Sequence, residues 1–159
     1  MNKKTFISLI QEHKRLINKL VFTYARTPED QDDLRQEILL QAWKSFPHFQ
    51  AKSKFSTWLF RVGINTGLTY QRKKKKELVV ASEERFPGLS SEDISNADLL
   101  KAILSSLNPV EKTLIIATIE GYDQQEIATM MGISPGNVRV KLFRIRKKLE
   151  EYGVKRILG

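Results

Sequence analysis

Three carboxylates near the start of a predicted helix have a spacing that suits metal binding. Asp30, Asp33 and Glu37 are three and four residues apart, which places them on neighbouring helical turns. Carboxylate oxygens are ligands for Mg²⁺ and Ca²⁺, so a metal-dependent nucleic-acid enzyme is one interpretation. The alternative is a solvated helix face whose acidic groups interact favourably with the helix dipole. Because the sequence shows no second acidic cluster and no phosphate-binding loop, we expect no enzymatic activity, metal site, cofactor or small-molecule substrate.

A second group of charged residues is basic and lies near the C-terminus, where six Lys and Arg residues fall between Arg139 and Lys148. Four apolar residues at helical spacing share one face of this segment: Val138, Leu142, Ile145 and Leu149. The pattern predicts a helix with one buried face and one basic face. A basic face is common on solvated helices, but it is also what a helix needs to bind DNA phosphates.

The residues before this basic helix predict a helix-turn-helix. Asp123 and Glu126 have the spacing of a capping box at the start of a short helix. Ala128 is small enough to let two helices approach, and Gly132 suits the left-handed residue that ends a helix. Ser134 and Pro135 then begin the basic helix. In a helix-turn-helix the second helix lies in the major groove, so we interpret the basic face as a DNA-binding surface.

The distribution of charge agrees with two DNA-facing parts. The chain has 159 residues, a formal net charge of +9 and a pI near 9.8, which favours a polyanionic partner. Residues 1–76 carry a net +10, residues 77–108 a net −4 and residues 109–159 a net +3. There is no cysteine and there are only two histidines, so disulfides and a Cys/His zinc site have no ligands.

Apolar spacing and capping signals predict an all-α fold of two small helical domains. Thr27 before Pro28, and Asn108 before Pro109, mark two further helix starts. We assign residues 1–76 to the first domain, 77–95 to a flexible acidic linker, and 96–159 to a second domain that contains the helix-turn-helix. No apolar run reaches the length of a signal-peptide core or a membrane span. We therefore expect a soluble, cytoplasmic protein without membrane insertion.

Two glycines in the predicted helix before the linker are unusual. Gly63 and Gly67 each cost a helix interior about 1 kcal/mol relative to alanine. Either the helix is locally soft, or another backbone comes close. Trp58 continues an apolar stripe with Phe55 and Leu59, so we expect it to pack in the core and not to stack on DNA.

The C-terminal segments Leu107–Glu111, Gly121–Ala128 and Gly136–Leu149 resemble region 4 of extracytoplasmic-function (ECF) sigma factors. In that family this region reads the minus-thirty-five promoter element. The resemblance implies DNA contacts by Arg139, Val140, Lys141, Phe143, Arg144, Lys147 and Lys148. Val140 departs from the small polar residue often found there, so the preferred upstream sequence is expected to differ. Phe143 lies beside the buried stripe, where it either touches a thymine methyl or belongs to the core.

Asp33–Glu37 together with Ala42 and Trp43 resembles sigma region 2.2. In the family this region docks on the clamp coiled coil of the largest RNA polymerase subunit. The resemblance implies polymerase contacts by Asp33, Gln36, Glu37 and Trp43. For Trp43 the sequence leaves open whether the ring supplies docking area or packs in the core.

Phe55–Thr66 and Tyr70–Lys76 resemble sigma regions 2.3 and 2.4. In the family these regions hold the minus-ten element and a base flipped from the duplex. That role needs cations for phosphates, an amide for base edges, and a loop that encloses an unstacked base. The resemblance implies contacts by Phe49, Gln50, Lys52, Lys54, Arg61, Asn65, Arg72 and Lys73, with residues 49–54 as the enclosing loop.

The two resemblances together imply an alternative sigma factor that directs bacterial RNA polymerase to promoters. Its expected partners are core polymerase, through the clamp coiled coil and the flap, promoter DNA, and an anti-sigma factor. The alternative is a free-standing helix-turn-helix transcription regulator, which leaves Asp33–Glu37 and the basic run Arg72–Lys76 without roles.

Overall fold

The computed structural model describes residues 2–78 and 102–151, and all regular secondary structure in these residues is helical. This confirms the predicted all-α class. The chain divides into two compact units, Met1–Val80 and Ala81–Gly159. The predicted domain limits stay a prediction, and most of the predicted linker 77–95 lies outside the described residues.

The first unit contains four long helices and a short 3-10 turn. They are α1 (Lys3–Glu12), α2 (Lys14–Tyr24), α3 (Pro28–Ser45), the turn Phe46–His48, and α4 (Phe55–Leu78). The apolar stripe that begins at Phe6 and ends at Tyr24 is divided between α1 and α2 at His13. The N–H and the Nδ1 of His13 both lie within hydrogen-bond distance of the Leu9 carbonyl, at 3.2 and 2.7 Å, which ends α1 there.

Local capping sets the start of α3, and its apolar stripe sets its orientation. The Thr27 hydroxyl accepts a hydrogen bond from the Asp30 N–H at 3.1 Å, and Pro28 occupies the first turn. Leu34, Ile38 and Ala42 are fully buried, as the three-to-four spacing predicts. The opposite face of α3 is therefore left to solvent.

The helix α4 crosses the core of the first unit and packs against both α2 and α3. Added Cβ atoms at Gly63 and Gly67 would come closer than van der Waals contact to the side chains of Leu20 and Tyr24. The closest neighbours are thus side chains of α2, which neither of the two alternatives from the sequence included. The helix α4 continues unbroken through both glycines. It ends at Leu78, so the first residues of the predicted linker are helical.

The second unit contains the helix-turn-helix. Residues 102–106 are helical (α5) and are followed by α6 (Pro109–Ile119), α7 (Gln124–Met131) and α8 (Pro135–Glu151). Complete capping boxes begin α6 and α7, formed by Asn108 with Glu111 and by Asp123 with Glu126.

The predicted turn between α7 and α8 is confirmed. Gly132 has a φ of 69° in the left-handed region, where glycine is favoured because it has no Cβ. The Ser134 hydroxyl accepts a hydrogen bond from the Asn137 N–H at 3.1 Å. Ala128 is buried, and α7 packs directly on α8.

Candidate functional site

The helix α8 presents two chemically different faces. Its core face consists of Val138, Leu142, Ile145 and Leu149, all buried as predicted. Residues around the remaining surface are exposed: Arg139, Val140, Phe143, Arg144, Lys147 and Lys148, while Lys141 is half-buried. Phe143 is 55% exposed, so the interpretation of this ring as a core residue is wrong. The buried stripe already fills the contact with α6 and α7, which leaves the ring on the basic side.

Two lysines of α8 have defined partners inside the second unit. The Nζ atom of Lys147 lies 4.8 Å from the centre of the Phe143 ring, a cation–π distance. The Nζ atom of Lys148 lies 3.0 and 3.1 Å from the two carboxylate oxygens of the buried residue Glu111. Lys148 therefore joins the end of α8 to the start of α6, while its predicted DNA contact stays a prediction.

The exposed face of α3 combines polar and apolar groups. Asp33, Gln36, Leu40 and Trp43 are separated by three, four and three residues, so they share one helix face, and all four are exposed. The neighbouring Glu37 is half-buried and accepts a hydrogen bond from the Gln41 amide at 2.9 Å. Leu40 was not among the predicted docking residues. Its position outside the buried stripe was the signal for it.

Trp43 packs partly in the core and is partly available for docking, the two alternatives that the sequence left open. It is 44% exposed, and its ring centre lies 5.1 Å from that of the buried Phe6 on α1. One side of the indole thus packs on the core while the rest faces solvent beside Leu40, which is also 44% exposed.

A groove of about 650 Å³ lies between α3 and α4. Its walls bring together Asp33, Gln36 and Glu37 of α3 with Asn65 and Lys73 of α4, residues that the sequence assigned to two separate sites. The other lining residues were not among the predicted site residues: Leu40, Gln41, Thr66, Thr69 and Tyr70. The spacing of four between residues 65, 69 and 73 was the signal for Thr69.

The basic end of α4 is not uniformly free to bind an anion. Lys74 forms an ion pair with Asp30 at 3.2 Å, whereas Arg72 and Lys73 are exposed. Burial by itself raises the pKa of Asp30, but hydrogen bonds from Lys74 and Tyr70 outweigh it and hold the pKa below its ordinary value of 3.8. Asp30 therefore serves to join α3 to α4. No cluster of three or more metal-ligating side chains is found in residues 2–78 and 102–151.

The segment between the 3-10 turn and α4 carries the predicted enclosing loop. Gln50, Lys52 and Lys54 are exposed, and Ala51 has a φ of 56°, which a non-glycine residue rarely adopts. Phe49 is half-buried, and its ring centre lies 5.2 Å from that of Trp58 and 5.8 Å from that of Phe55. These contacts anchor the start of the loop.

Three other predicted residues have contrasting surroundings. Trp58 is half-buried within the aromatic cluster, where its ring centre lies 6.2 Å from that of Phe46, in agreement with the packing prediction. Arg61 and Asn65 are exposed on α4. Among the described helices, none is both long and apolar enough to cross a membrane.

The capped α7, the left-handed Gly132 and the basic α8 define a helix-turn-helix protein of the DNA-binding class. Comparison with known proteins narrows this class. The family model for Sigma-70 region 2 matches residues 9–77, and the family model for Sigma-70, region 4 matches residues 97–149. The chain belongs to the ECF family of RNA polymerase sigma factors.

Relatives of known function cover most of the chain. The ECF RNA polymerase sigma factor SigM of Mycobacterium tuberculosis is 26% identical over 150 residues, which are 93% of this chain and 76% of the relative. The ECF RNA polymerase sigma-E factor of Escherichia coli K12 is 25% identical over 166 residues, with 94% of this chain and 86% of the relative covered.

Solved structures share the fold, and two complexes are among them. The sigma factor RpoE in complex with the anti-sigma factor NepR from Bartonella quintana matches with a TM-score of 0.72 at 19% identity, covering 93% of this chain and 96% of that one. CnrH in complex with the cytosolic domain of CnrY matches with a TM-score of 0.67 at 23% identity, covering 95% and 88%.

Proposed function

We propose that this chain binds core bacterial RNA polymerase and directs it to promoters, with a separate face for each task. The helix α8 reads the minus-thirty-five element, α3 docks on the polymerase, and α4 with the loop 49–54 opens the minus-ten element. The observation that carries the proposal is the presence, in one chain, of an exposed basic recognition helix and a mixed polar and apolar face on α3.

The face of α3 suits a protein partner. Exposed Leu40 and Trp43 supply apolar area next to the polar groups of Asp33 and Gln36. An interface commonly has this composition, with an aromatic anchor surrounded by polar groups. The proposed partner is the clamp coiled coil of the largest polymerase subunit, and the proposed partner of the second unit is the flap.

The α4 side of the groove beside this face is proposed to contact single-stranded DNA. Asn65, near the middle of α4, supplies an amide for a base edge, and Arg72 and Lys73 are exposed about two turns further along the same helix. Extruding a base costs a few kcal/mol, which hydrogen bonds and enclosure must offset. The exposed groups of the loop, Gln50, Lys52 and Lys54, are proposed to contribute to that enclosure.

The remaining partners and the location follow from the same proposal. One of the solved structures that share the fold contains the anti-sigma factor NepR, and we propose an anti-sigma partner here. Since its polymerase and promoter lie in the cytoplasm, the chain is proposed to act there as a transcription regulator and not as an enzyme.

A double substitution on α3 tests the docking face in the full chain. Gln36→Ala with Glu37→Ala removes two polar groups of the groove wall, and we expect affinity for core polymerase to fall by about tenfold, or about 1.4 kcal/mol. The matched control is Gln11→Ala with Glu12→Ala, an exposed Gln-Glu pair on α1. Fluorescence titration of labelled protein with core polymerase measures both affinities.

Equal loss of affinity in both double variants would contradict the assignment of this face. If the wild-type chain binds promoter DNA but forms no complex with core polymerase, the chain acts instead as a free-standing regulator.

A further inference from the structure

Two apolar residues, Val140 and Phe143, lie on the solvent-facing side of α8, in the middle of its basic surface. Val140, Phe143 and Lys147 follow Gly136 at spacings of four, three and four residues, so all four lie on one face, opposite Val138 and Ile145. Val140 is 48% exposed and Phe143 is 55% exposed. Single exposed apolar residues are ordinary, but this pair lies at the centre of the helix face proposed to enter DNA.

The chemistry of the pair limits what it can recognise. Valine and phenylalanine side chains neither donate nor accept hydrogen bonds, so they cannot read the donor and acceptor pattern of base edges. The one apolar group that the four standard bases present in the major groove is the C5 methyl of thymine. The flanking Arg139 and Arg144 are exposed, so charged groups are available for phosphates and for guanine on either side.

The geometry suits two neighbouring bases. Residues 140 and 143 are separated by three helical rises, about 4.5 Å, which is near the spacing of about 3.4 Å between successive base pairs. The ammonium of Lys147, one turn further towards the C-terminal end of α8, lies 4.8 Å from the centre of the Phe143 ring and restrains it. A restrained ring loses less conformational entropy when it binds.

We infer that Val140 and Phe143 form a methyl-reading surface, which selects thymine at two neighbouring positions of the upstream promoter element. This inference rests on the proposed function, since it assigns a base preference to the helix that is proposed to enter the major groove.

Removal of single methyl groups from the DNA tests the inference. A promoter bound by the reconstituted holoenzyme is prepared in variants in which one upstream thymine at a time is replaced by deoxyuridine, which lacks only the methyl. We expect affinity to fall about fourfold at each of two neighbouring positions, the equivalent of one buried methyl group, and to stay unchanged at the others.

Protein variants then connect each methyl to its side chain. Val140→Ser is expected to bind thymine and deoxyuridine equally at one of the two positions, and Phe143→Ser at the other. Val110→Ser is the matched control, because Val110 is an exposed valine on α6, and it should keep the wild-type preference at both positions. Promoters that carry cytosine in place of thymine at one of these positions are then compared with promoters that carry 5-methylcytosine there. The added methyl should raise the affinity of the wild type but not that of the variant that lacks the matching side chain.

The outcomes separate the inference from the proposed function. If the holoenzyme selects its promoter but every deoxyuridine probe binds as well as thymine, the methyl-reading surface is overturned and the proposed function stands. If the chain and core polymerase together show no promoter selectivity, both are overturned.

Discussion

Asn65 lies where the proposed contacts with DNA and with polymerase meet. It lines the same groove as Asp33 and Gln36, although the sequence assigned Asn65 to DNA and the other two residues to the polymerase. Its backbone carbonyl accepts a hydrogen bond from the Thr69 hydroxyl at 2.9 Å, while its side chain is exposed. A test of the amide must therefore distinguish base capture from a change in docking.

Asn65→Ala is expected to reduce promoter opening without preventing promoter binding. The substitution removes an amide that can pair with a base edge, but it leaves the exposed Arg72 and Lys73 in place for phosphates. Closed complexes should form as in the wild type, while the permanganate reactivity of unpaired thymines near the start site declines. A loss of one good base contact, about 1–3 kcal/mol, corresponds to roughly a fivefold to 150-fold effect on opening.

A template with a pre-melted bubble is the control, since it bypasses part of the opening energy and should restore much of the transcription. Affinity for core polymerase is measured in parallel and should equal that of the wild type. Normal opening of duplex promoters by Asn65→Ala would exclude the amide from base capture.

At the scale of helices, charge and packing hold α4 against its neighbours. The ion pair between Asp30 and Lys74 joins the start of α3 to the far end of α4, and Gln71 donates a hydrogen bond to the Tyr24 carbonyl at 3.1 Å. Gly63 and Gly67 allow α2 to lie close to α4. The groove between α3 and α4 depends on these contacts for its shape.

The ion pair predicts a pH dependence of stability. Because the pKa of Asp30 is lowered in the folded state, its contribution is present above the ordinary value of 3.8 and is lost as the pH falls through the folded-state pKa. Asp30→Asn should therefore be less stable than wild type near pH 7, by no more than about 1 kcal/mol, because solvent screens this partly exposed pair. The difference should disappear at low pH.

Urea unfolding followed by tryptophan fluorescence measures this, since both tryptophans, Trp43 and Trp58, belong to the first unit. A double-mutant cycle with Lys74→Gln isolates the coupling between the two side chains. A stability difference that stays constant from neutral to acid pH would show that the carboxylate is not responsible.

Two glycine substitutions should have opposite effects on stability. Gly67→Ala gains about 1 kcal/mol of helix propensity, but its Cβ would overlap the buried Tyr24 ring, and overpacking of this kind costs about 1–3 kcal/mol. We expect net destabilisation of the first unit, seen by tryptophan fluorescence. Gly136→Ala meets nothing within 4 Å, so the second unit should be stabilised by up to about 1 kcal/mol.

Far-UV circular dichroism follows the second unit as well as the first and measures the effect of Gly136→Ala. Stabilisation by Gly67→Ala would mean that the Tyr24 ring moves aside at little cost.

At the scale of the whole molecule, the sequence predicted those features that depend only on residues close together in the chain. The capping residues Thr27, Asn108 and Asp123 and the left-handed Gly132 follow local rules, and the structure confirms them. The buried stripes of α3 and α8 could be predicted equally well, because the face of a helix on which a residue lies follows from its position in the sequence.

Contacts between distant parts of the chain could not be predicted in the same way. Lys148 and Glu111 are 37 residues apart, and no periodicity relates them. The shared groove of Asp33 and Asn65 and the exposure of Phe143 also depend on which helices pack together. The resemblance to a family suggested a task for each face, but it did not show that the residues proposed for docking and those proposed for strand opening line the same groove.

The contact between Leu20 and Gly63 has a consequence for how this protein can change over evolutionary time. An alanine at position 63 would overlap the Leu20 side chain, which is fully buried and has little room to move. Positions 20 and 63 should therefore co-vary among related chains, with alanine at 63 accompanied by a smaller or differently branched residue at 20. The order of substitution is also constrained. A lineage that shortens residue 20 first passes through a cavity, whereas one that enlarges residue 63 first passes through a clash.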